Sequence, residues 1–330
     1  MKILQQVGVV IIGRNEGQLL KQCLMSVVDK VSGIVYVDSG STDGSVEIAK
    51  SLEVDVVELD LSIPFTAARA RNEGLDHLLT LNQQIRFVQF VDGDCEVVEG
   101  WLESAQRELE SQPQTAVVCG RRQERFPGIS IYNQLCDIEW NTPIGETKMC
   151  GGDAMMRVEA FKQVNGFNPS LIAGEEPELC VRLRQQGWKI LRIDKHMTLH
   201  DARMTNFSQW WKRSLRAGHA YAEGFWLHGH SAEGHCLKES RSIWLLGLIL
   251  PLLSLATAWS TSGLSLLLFT VYPVIVYRSY CDSLQKGFDT QDAVIYALFC
   301  VLSKFPGVQG QIKFHLDRLL GRGINLVEYK

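Results

Sequence analysis

The sequence predicts an α/β protein: a doubly wound, mostly parallel sheet with flanking helices, followed by C-terminal hydrophobic, membrane-associated helices. Three observations carry this. Short β-rich apolar runs alternate with stretches of helical periodicity from Val7 onward, the pattern of successive βαβ units. The fourth run, Phe87-Val-Gln-Phe-Val-Asp92-Gly-Asp94-Cys95, brings two carboxylates out of its C-terminal end, where open α/β sheets bind ligands. Ile243 to Tyr277 is apolar with no acidic residue.

The elements follow in order. Val7 to Ile12 is the first strand; it ends in Gly13-Arg14-Asn15-Glu16, after which Leu19, Leu20, Cys23, Leu24, Val27 and Val28 recur at helical spacing. Gly33 to Asp38 is the second strand, and Ser39-Gly-Ser-Thr-Asp43-Gly-Ser supplies helix N-cap residue types ahead of Val46, Ile48, Ala49 and Leu52. Val54 to Leu59 reads as a strand, Ala67 to Leu79 as a helix, Ile85 to Val91 as the fourth strand, and Lys189 to Ile193 as a later one. Glu16, Asp38 and Asp92 therefore fall at the carboxyl edge of the sheet. Asp92 and Asp94, two residues apart, project the same way, which suits a hard divalent cation that fills its remaining positions with water and phosphate oxygens. The pair thus points to a nucleotide diphosphate partner. An Asp-Gly-Asp turn with no ligand is the alternative.

Five segments in this order resemble the motif set of the family 2 glycosyltransferases: Val9-Val-Ile-Ile-Gly-Arg-Asn-Glu16, Tyr36-Val-Asp38-Ser-Gly-Ser-Thr-Asp43-Gly-Ser, Ala70-Arg71-Asn72-Glu73-Gly74, Asp92-Gly-Asp94, and Gly174-Glu175-Glu176-Pro-Glu178-Leu-Cys-Val-Arg182. The resemblance spans about residues 7 to 200. It implies a GT-A fold and an inverting transfer of a sugar from a nucleotide diphosphate donor to an acceptor hydroxyl, with help from Mg²⁺ or Mn²⁺. It implies that Asp94 is a metal ligand, that Asp92 meets the ribose or shares the metal, that Asp38 meets the base or ribose and Arg71 the base or phosphates, and that Arg14 and Glu16 lie beside the nucleotide. His200 resembles the histidine that completes the metal site in some members. Where the family commonly carries a Glu-Asp pair this chain has Glu175-Glu176, so either glutamate is a candidate for the base that deprotonates the acceptor. An acidic helix N-terminus with Pro177 in its first turn explains the same residues without chemistry. Cys150-Gly151-Gly152-Asp153-Ala-Met-Met-Arg157 resembles the strand behind the acceptor site, which makes Asp153 and Trp140 candidates for acceptor contacts; core packing is the alternative for Trp140, Met155 and Met156.

The tail changes character. Pro251, Ser260-Thr-Ser-Gly263 and Pro273 interrupt Ile243 to Tyr277, so two full spans fit only tightly and a helical hairpin or re-entrant pair is expected. Lys238, Arg241 and Arg278 flank it, returning both ends to the cytoplasm. Ala293 to Leu302 is too short to span; beyond Lys304 and Pro306, Ile312 to Leu320 is amphipathic with Lys313 and Arg318 and suits the interface. Arg203, Lys212, Arg213 and Arg216, with Trp210 and Trp211, form a basic and aromatic patch suited to lipid headgroups or a lipid-linked acceptor. His228, His230, His235 and Cys236 lack the second cluster of a zinc site.

Nine cysteines without paired spacing, and no visible signal peptide ahead of the first motif, lead to the expectation of a catalytic domain on the cytoplasmic face of the inner membrane, with the sequon Asn206-Phe-Ser208 unused. A formal net charge of −4 argues against nucleic acid as a partner. The expected layout is a nucleotide-sugar transferase domain at 1–225, a juxtamembrane linker at 226–242 and a hydrophobic hairpin with interfacial helices at 243–330. Its partners would be a nucleotide-sugar donor, a saccharide or lipid-linked acceptor, and the membrane. Two rivals remain. A nucleotidyltransferase would want a glycine-rich, basic phosphate loop where Gly13-Arg-Asn-Glu stands; a non-catalytic membrane scaffold of the same fold would not need the acidic residues. A dinucleotide-binding dehydrogenase is disfavoured because no Gly-x-Gly-x-x-Gly follows the first strand.

Overall fold

The structure is a computed structural model that describes residues 3–321. The chain runs β1 (Val7–Gly13), α1 (Gln18–Met25), β2 (Ile34–Asp38), α2 (Ser45–Ser51), β3 (Asp55–Glu58), α3 (Ala67–Leu81), β4 (Phe87–Asp92), β5 (Cys95–Val97), α4 (Trp101–Ser111), β6 (Thr115–Glu124), α5 (Ile131–Trp140), β7 (Gly145–Glu146), β8 (Ala154–Arg157), α6 (Val158–Gln163), α7 (Glu175–Gln185), β9 (Lys189–His200) and α8 (Phe207–His228). Three long helices follow: α9 (Leu237–Ala256), α10 (Leu264–Gln285) and α11 (Thr290–Leu319).

Contacts divide the chain into two compact units, one reaching Arg125 and resuming over Trp140–Asp201, the other formed by Phe126–Glu139 and the chain from Ala202 onward. The division thus falls at Asp201, not near residue 225, and most of the expected 226–242 linker is helical. The stretch 322–330 of the expected C-terminal segment lies outside the described residues.

The first unit is built on a nine-stranded sheet of order β3-β2-β1-β4-β8-β6-β9-β5, with β7 paired to β9. β1 to β4 are parallel, β8 enters antiparallel between β4 and β6, and β6 and β9 are parallel to each other. Because β8 reverses direction once on each side, the carboxyl ends of β2, β4, β6 and β9 share one edge, and Asp38, Asp92, Glu124 and His200 are their last residues. β1 and β4, at the centre of the parallel strands, are buried on both faces, which is why they read as apolar runs, β4 broken only by the buried Gln89 before it ends in Asp92.

One short segment of α3 serves three tasks. Arg71 is buried, the side chain of Asn72 bonds both the backbone N–H and the C=O of Phe167 (2.9 and 2.8 Å), and Gly74 lies where α3 crosses β1 and β2. A Cβ at Gly74 would stand 2.5 Å from Val10 Cγ1 and 2.7 Å from Val37 Cγ2. Gly74→Ala is therefore expected to overpack this contact and cost about 1–3 kcal/mol, despite the better helix propensity of alanine; a melting temperature at or above wild type would refute this packing account.

In the second unit, Asn206 and Gln209 form a capping box at the start of α8, so the sequon asparagine is engaged in a helix cap. α8 and α11 pack closely: a Cβ at Gly218 would stand 2.3 Å from the Gly307 carbonyl oxygen, and one at Gly310 2.1 Å from that of Leu215. The third apolar stretch does not end at Leu302. Ser303 donates its N–H to the Phe299 carbonyl (2.9 Å) and Gly307 donates to Ser303 (3.0 Å), carrying the helix past Lys304 and Pro306 into a single 30-residue element. All three C-terminal helices are long and apolar enough to cross a membrane, the third included, where a segment too short to span was expected.

Candidate active site

The carboxyl edge of the first unit gathers two adjoining charge clusters. In the first, Arg71 reaches from α3 to three carboxylates: Nη1 lies 2.8 Å from Glu175 Oε1 and 3.1 Å from Glu176 Oε1, and Nη2 lies 2.9 Å from Asp92 Oδ1. Glu175 and Glu176 open α7 behind Gly174, whose φ of 81° turns the chain into the helix, and the helix N-terminus favours their negative charge. Gly152 is pressed against this cluster; a Cβ there would stand 2.6 Å from Arg71 Nη2 and 3.1 Å from both Asp92 Oδ2 and Glu176 Oε1.

The second arginine is Arg122 of β6. Its Nη2 lies 3.0 Å from Asp92 Oδ2 and 3.0 Å from Cys95 Sγ, its Nε lies 3.3 Å from Asp153 Oδ2, and its guanidinium sits 5.1 Å from the Trp140 ring centroid. Asp153 accepts from the Asp92 backbone N–H (3.1 Å) and the Thr198 hydroxyl (2.6 Å). Asp153 is wholly buried, so it does not face an acceptor as the resemblance implied; its carboxylate fastens β4 to β9 beneath Asp92. Trp140 remains half-exposed, edge-on to His200 with ring centroids 4.9 Å apart.

Asp94 and His200 form the neighbouring group. His200 Nε2 lies 3.2 Å from Asp94 Oδ2, and its buried Nδ1, 3.8 Å from Glu124 Oε2, makes no hydrogen bond. Burial, then the nearby Arg122 charge, push the His200 pKa down, so its imidazole is neutral at pH 7 and keeps a lone pair for a cation. One carboxylate oxygen and one imidazole nitrogen fit a divalent ion that takes its remaining ligands from water or phosphate. Asp92, Cys95 and Asp153 also lie close enough together to share a metal, but the Arg122 guanidinium already stands between them as their cation.

The electrostatics separate the acidic residues. Burial raises the Asp92 pKa, but Arg71 and Arg122 outweigh it and hold the carboxyl well below its usual range. Glu176 is pushed up to about 7, first by burial and then by the adjacent Glu175 charge, with Arg71 opposing both. Glu176 is also the more accessible of the pair, 14% exposed at its side chain against 6% for Glu175.

Asp38 stands apart from these clusters. It accepts from the Tyr36 hydroxyl (2.8 Å) and from the backbone N–H groups of Gly40 and Ser41 (2.9 and 2.8 Å), so it closes the loop after β2. With Ser41, Thr42, Glu47 and Leu61 it lines a cavity of about 470 Å³. Arg14 packs over the Phe65 ring at 5.0 Å, and the Glu16 side chain lies against Gly93, where a Cβ would stand 3.4 Å from its Cγ. Arg71, 2% exposed, is committed to carboxylates rather than open to a phosphate.

Sequence reasoning missed Arg122, Glu124 and Thr198. The apolar run Thr115-Ala-Val-Val-Cys119 marks a strand that carries Arg122, but nothing in it says which strands lie beside it.

A family model described as glycosyl transferase family 2 matches residues 8–164, and one described as the N-terminal domain of galactosyltransferase matches 137–206. The succinoglycan biosynthesis protein ExoA of Rhizobium meliloti (strain 1021) is 26% identical over 232 residues, covering 64% of this chain and 66% of its own. A TPR repeat-containing protein of Synechococcus elongatus is 30% identical over 144 residues, 42% of this chain and 32% of its own, so the chain spans only about a third of that relative. Among solved structures, the mannosyltransferase PcManGT from Pyrobaculum calidifontis, in complex with GDP-Man and Mn²⁺, superposes with a TM-score of 0.60 at 15% identity, covering 95% of this chain and 88% of that one. The fold is that of the GT-A structures. Over residues 8–164, just under half of the chain, the sequence is similar to the family 2 glycosyltransferases.

Proposed function

We propose that this protein is an inverting glycosyltransferase that moves a sugar from a nucleotide diphosphate donor to an acceptor hydroxyl, in polysaccharide or lipid-linked glycan assembly at the cytoplasmic face of a membrane. The observation that carries the reading is Glu176: a carboxylate tuned to about 7, next to Asp92 and Arg71, on the same sheet edge as the Asp94–His200 pair.

In this reading the cavity at Asp38 takes the nucleoside, with Arg14 and Glu16 beside it. Asp94 and His200 would hold Mg²⁺ or Mn²⁺, which when bound neutralises charge on the departing diphosphate. Arg71 and Arg122 fix Asp92 from both sides, so its carboxylate is ionised and oriented whether or not donor is present. Glu176 accepts the proton of the acceptor hydroxyl as its oxygen bonds to the anomeric carbon and the bond from that carbon to the diphosphate breaks on the opposite face. The half-exposed Trp140 offers a ring for an acceptor sugar to stack on. Three apolar helices support membrane association, and the likeness to ExoA, a succinoglycan biosynthesis protein, supports a polysaccharide product.

The test is thermal stabilisation of the detergent-purified chain by nucleoside diphosphates with Mn²⁺, with Mg²⁺ or with EDTA. One nucleotide at about a hundredfold over its Kd is expected to add about 2.7 kcal/mol, roughly 5 °C or more, only with metal and not in Asp94→Ala. A folded wild-type protein that no nucleotide stabilises would sink the donor site and favour a non-catalytic scaffold of the same fold.

A further inference from the structure

Two cysteines of the first unit that the transfer chemistry leaves unused face each other. Cys150 stands in the irregular segment between β7 and β8, and Cys180 lies in α7, one helical turn beyond Glu176. Their sulfurs are 3.7 Å apart and share a hydrogen bond, and neither is in a disulfide. The segment that carries Cys150 is fastened to its neighbours on either side: Thr147 donates its N–H to the Ile190 carbonyl (2.9 Å), and Arg184 of α7 donates to the Lys148 carbonyl.

The pair is asymmetric. Cys150 donates to Cys180, which raises the Cys150 pKa, with burial adding to it, and lowers that of Cys180 against its burial. The thiolate character of the pair therefore rests on Cys180, which is wholly buried, while Cys150 is 6% exposed between the exposed Met149 and Gly151. A sulfur that an oxidant can reach, backed by a second sulfur that ionises readily, is the arrangement in which oxidation of the first is resolved as a disulfide. The bond needs the sulfurs at about 2.05 Å, a closure of less than about 2 Å. Cys119, the other buried cysteine of this region, instead turns its sulfur to the Leu191 carbonyl at 3.7 Å.

Closure bears directly on the catalytic edge. Cys180 shares α7 with Glu176, and Gly152, two residues beyond Cys150, has no room for a Cβ against Arg71, Asp92 and Glu176. Drawing Cys150 onto α7 displaces a segment with no slack.

We infer that Cys150 and Cys180 form an oxidation site, at which hydrogen peroxide closes a disulfide that ties α7 to the Gly152 segment and shuts off the Glu176 cluster. The O–O bond of the peroxide breaks as the Cys150 sulfur takes one oxygen and becomes a sulfenic acid; the other oxygen leaves as water with the thiol proton. Cys180 then attacks that sulfur, the S–S bond forms, the S–O bond breaks, and the second oxygen leaves as water. The sulfurs together lose two electrons, which the peroxide gains. Formation of the disulfide rests on the thiol geometry alone, and the loss of activity rests on the sugar-transfer reading.

The experiment treats the reduced full chain in detergent with hydrogen peroxide and maps it by mass spectrometry without reductant, with sugar-transfer assays before oxidation, after it and after dithiothreitol. A peptide joining Cys150 to Cys180 is expected, released by dithiothreitol. With it kcat should fall about tenfold or more and recover on reduction, because a misplacement of about 1 Å near the reacting groups costs up to about a hundredfold. Cys150→Ala should form no such peptide and keep its kcat within about twofold through the same treatment, with Cys180→Ala used in its place if it fails to fold. Cys281→Ala, at a half-exposed cysteine of α10, should cross-link as wild type. Sulfinic acid without a cross-link, a link from Cys180 to Cys119, or equal inactivation of wild type and Cys150→Ala overturns the site. A cross-linked protein as active as the reduced one overturns the shut-off and leaves sugar transfer standing. A cross-link in a protein that transfers no sugar even when reduced upholds the disulfide and sinks the sugar-transfer reading alone.

Discussion

Glu176→Gln is expected to lower kcat about 10²–10⁴-fold, the usual contribution of a positioned general base, with donor Kd changed by less than about twofold, because the amide keeps the shape of the carboxylate but cannot accept the proton. The pH profile gives an independent reading of the same group. Only the ionised form accepts a proton, and with Glu176 at about 7, kcat of the wild type should rise roughly tenfold per pH unit below that value and level off above it. The limb should vanish from the residual activity of Glu176→Gln. Steady-state kinetics between pH 5.5 and 9, with donor binding by calorimetry, check both. A profile flat through pH 7, or a glutamine variant within tenfold of wild type, would assign the base elsewhere, with Glu175→Gln the next variant to make. Glu175 is the weaker candidate because its Oε1 accepts directly from Arg71 at 2.8 Å and its side chain is less accessible.

How much of this was legible in the sequence follows from the physics of each element. The alternation β1-α1-β2-α2-β3-α3-β4 was readable because parallel strands buried on both faces need continuous apolar runs and the helices between them show one apolar stripe. The placing of Asp38 and Asp92 at one edge followed from topology alone, whereas His200 entered only through the family resemblance, because the strand that ends at it was read only as far as Ile193. Spacing says nothing of insertion order, so β8 between β4 and β6, and with it the delivery of Arg122 to Asp92, was not readable. Asp153 shows the same limit: a carboxylate next to a Gly-Gly pair looks exposed until the strand after it is paired on both sides and Thr198 and Arg122 close over it. At Lys304 and Pro306 local propensity suggested an end that packing overrides. Pro306 removes one backbone donor, yet the Ser303 and Gly307 bonds continue the ladder while Gly307 and Gly310 lie against α8.

The motif residue whose task changed most is Arg71, and removing it tests the electrostatic frame of the site. Its guanidinium is the shared counter-charge of Asp92, Glu175 and Glu176. Arg71→Met keeps the apolar stem and deletes the charge, leaving three carboxylates crowded against Gly152 with only Arg122 nearby to compensate Asp92. Breaking a buried ion pair from one side costs about 3–5 kcal/mol, and the partial exposure of Asp92 and Glu176, 29% and 14% at their side chains, puts the expectation at the lower end, about 3 kcal/mol at pH 8. The sign of the pH dependence follows from the same charges. Arg71 lowers the Asp92 and Glu176 pKa values in the folded protein; without it both rise further above, or closer to, their unfolded values of about 4. A carboxyl whose folded pKa lies above its unfolded one contributes stability at low pH that is lost as pH rises through the folded value. The deficit of Arg71→Met relative to wild type should therefore be largest at pH 8 and shrink toward pH 5.5. Melting temperatures of the two proteins across that range measure it directly. A deficit independent of pH would mean that Arg71 acts through packing, including its contact with Phe167 at 5.5 Å from the ring centroid, and not as the charge that holds these three carboxylates in place.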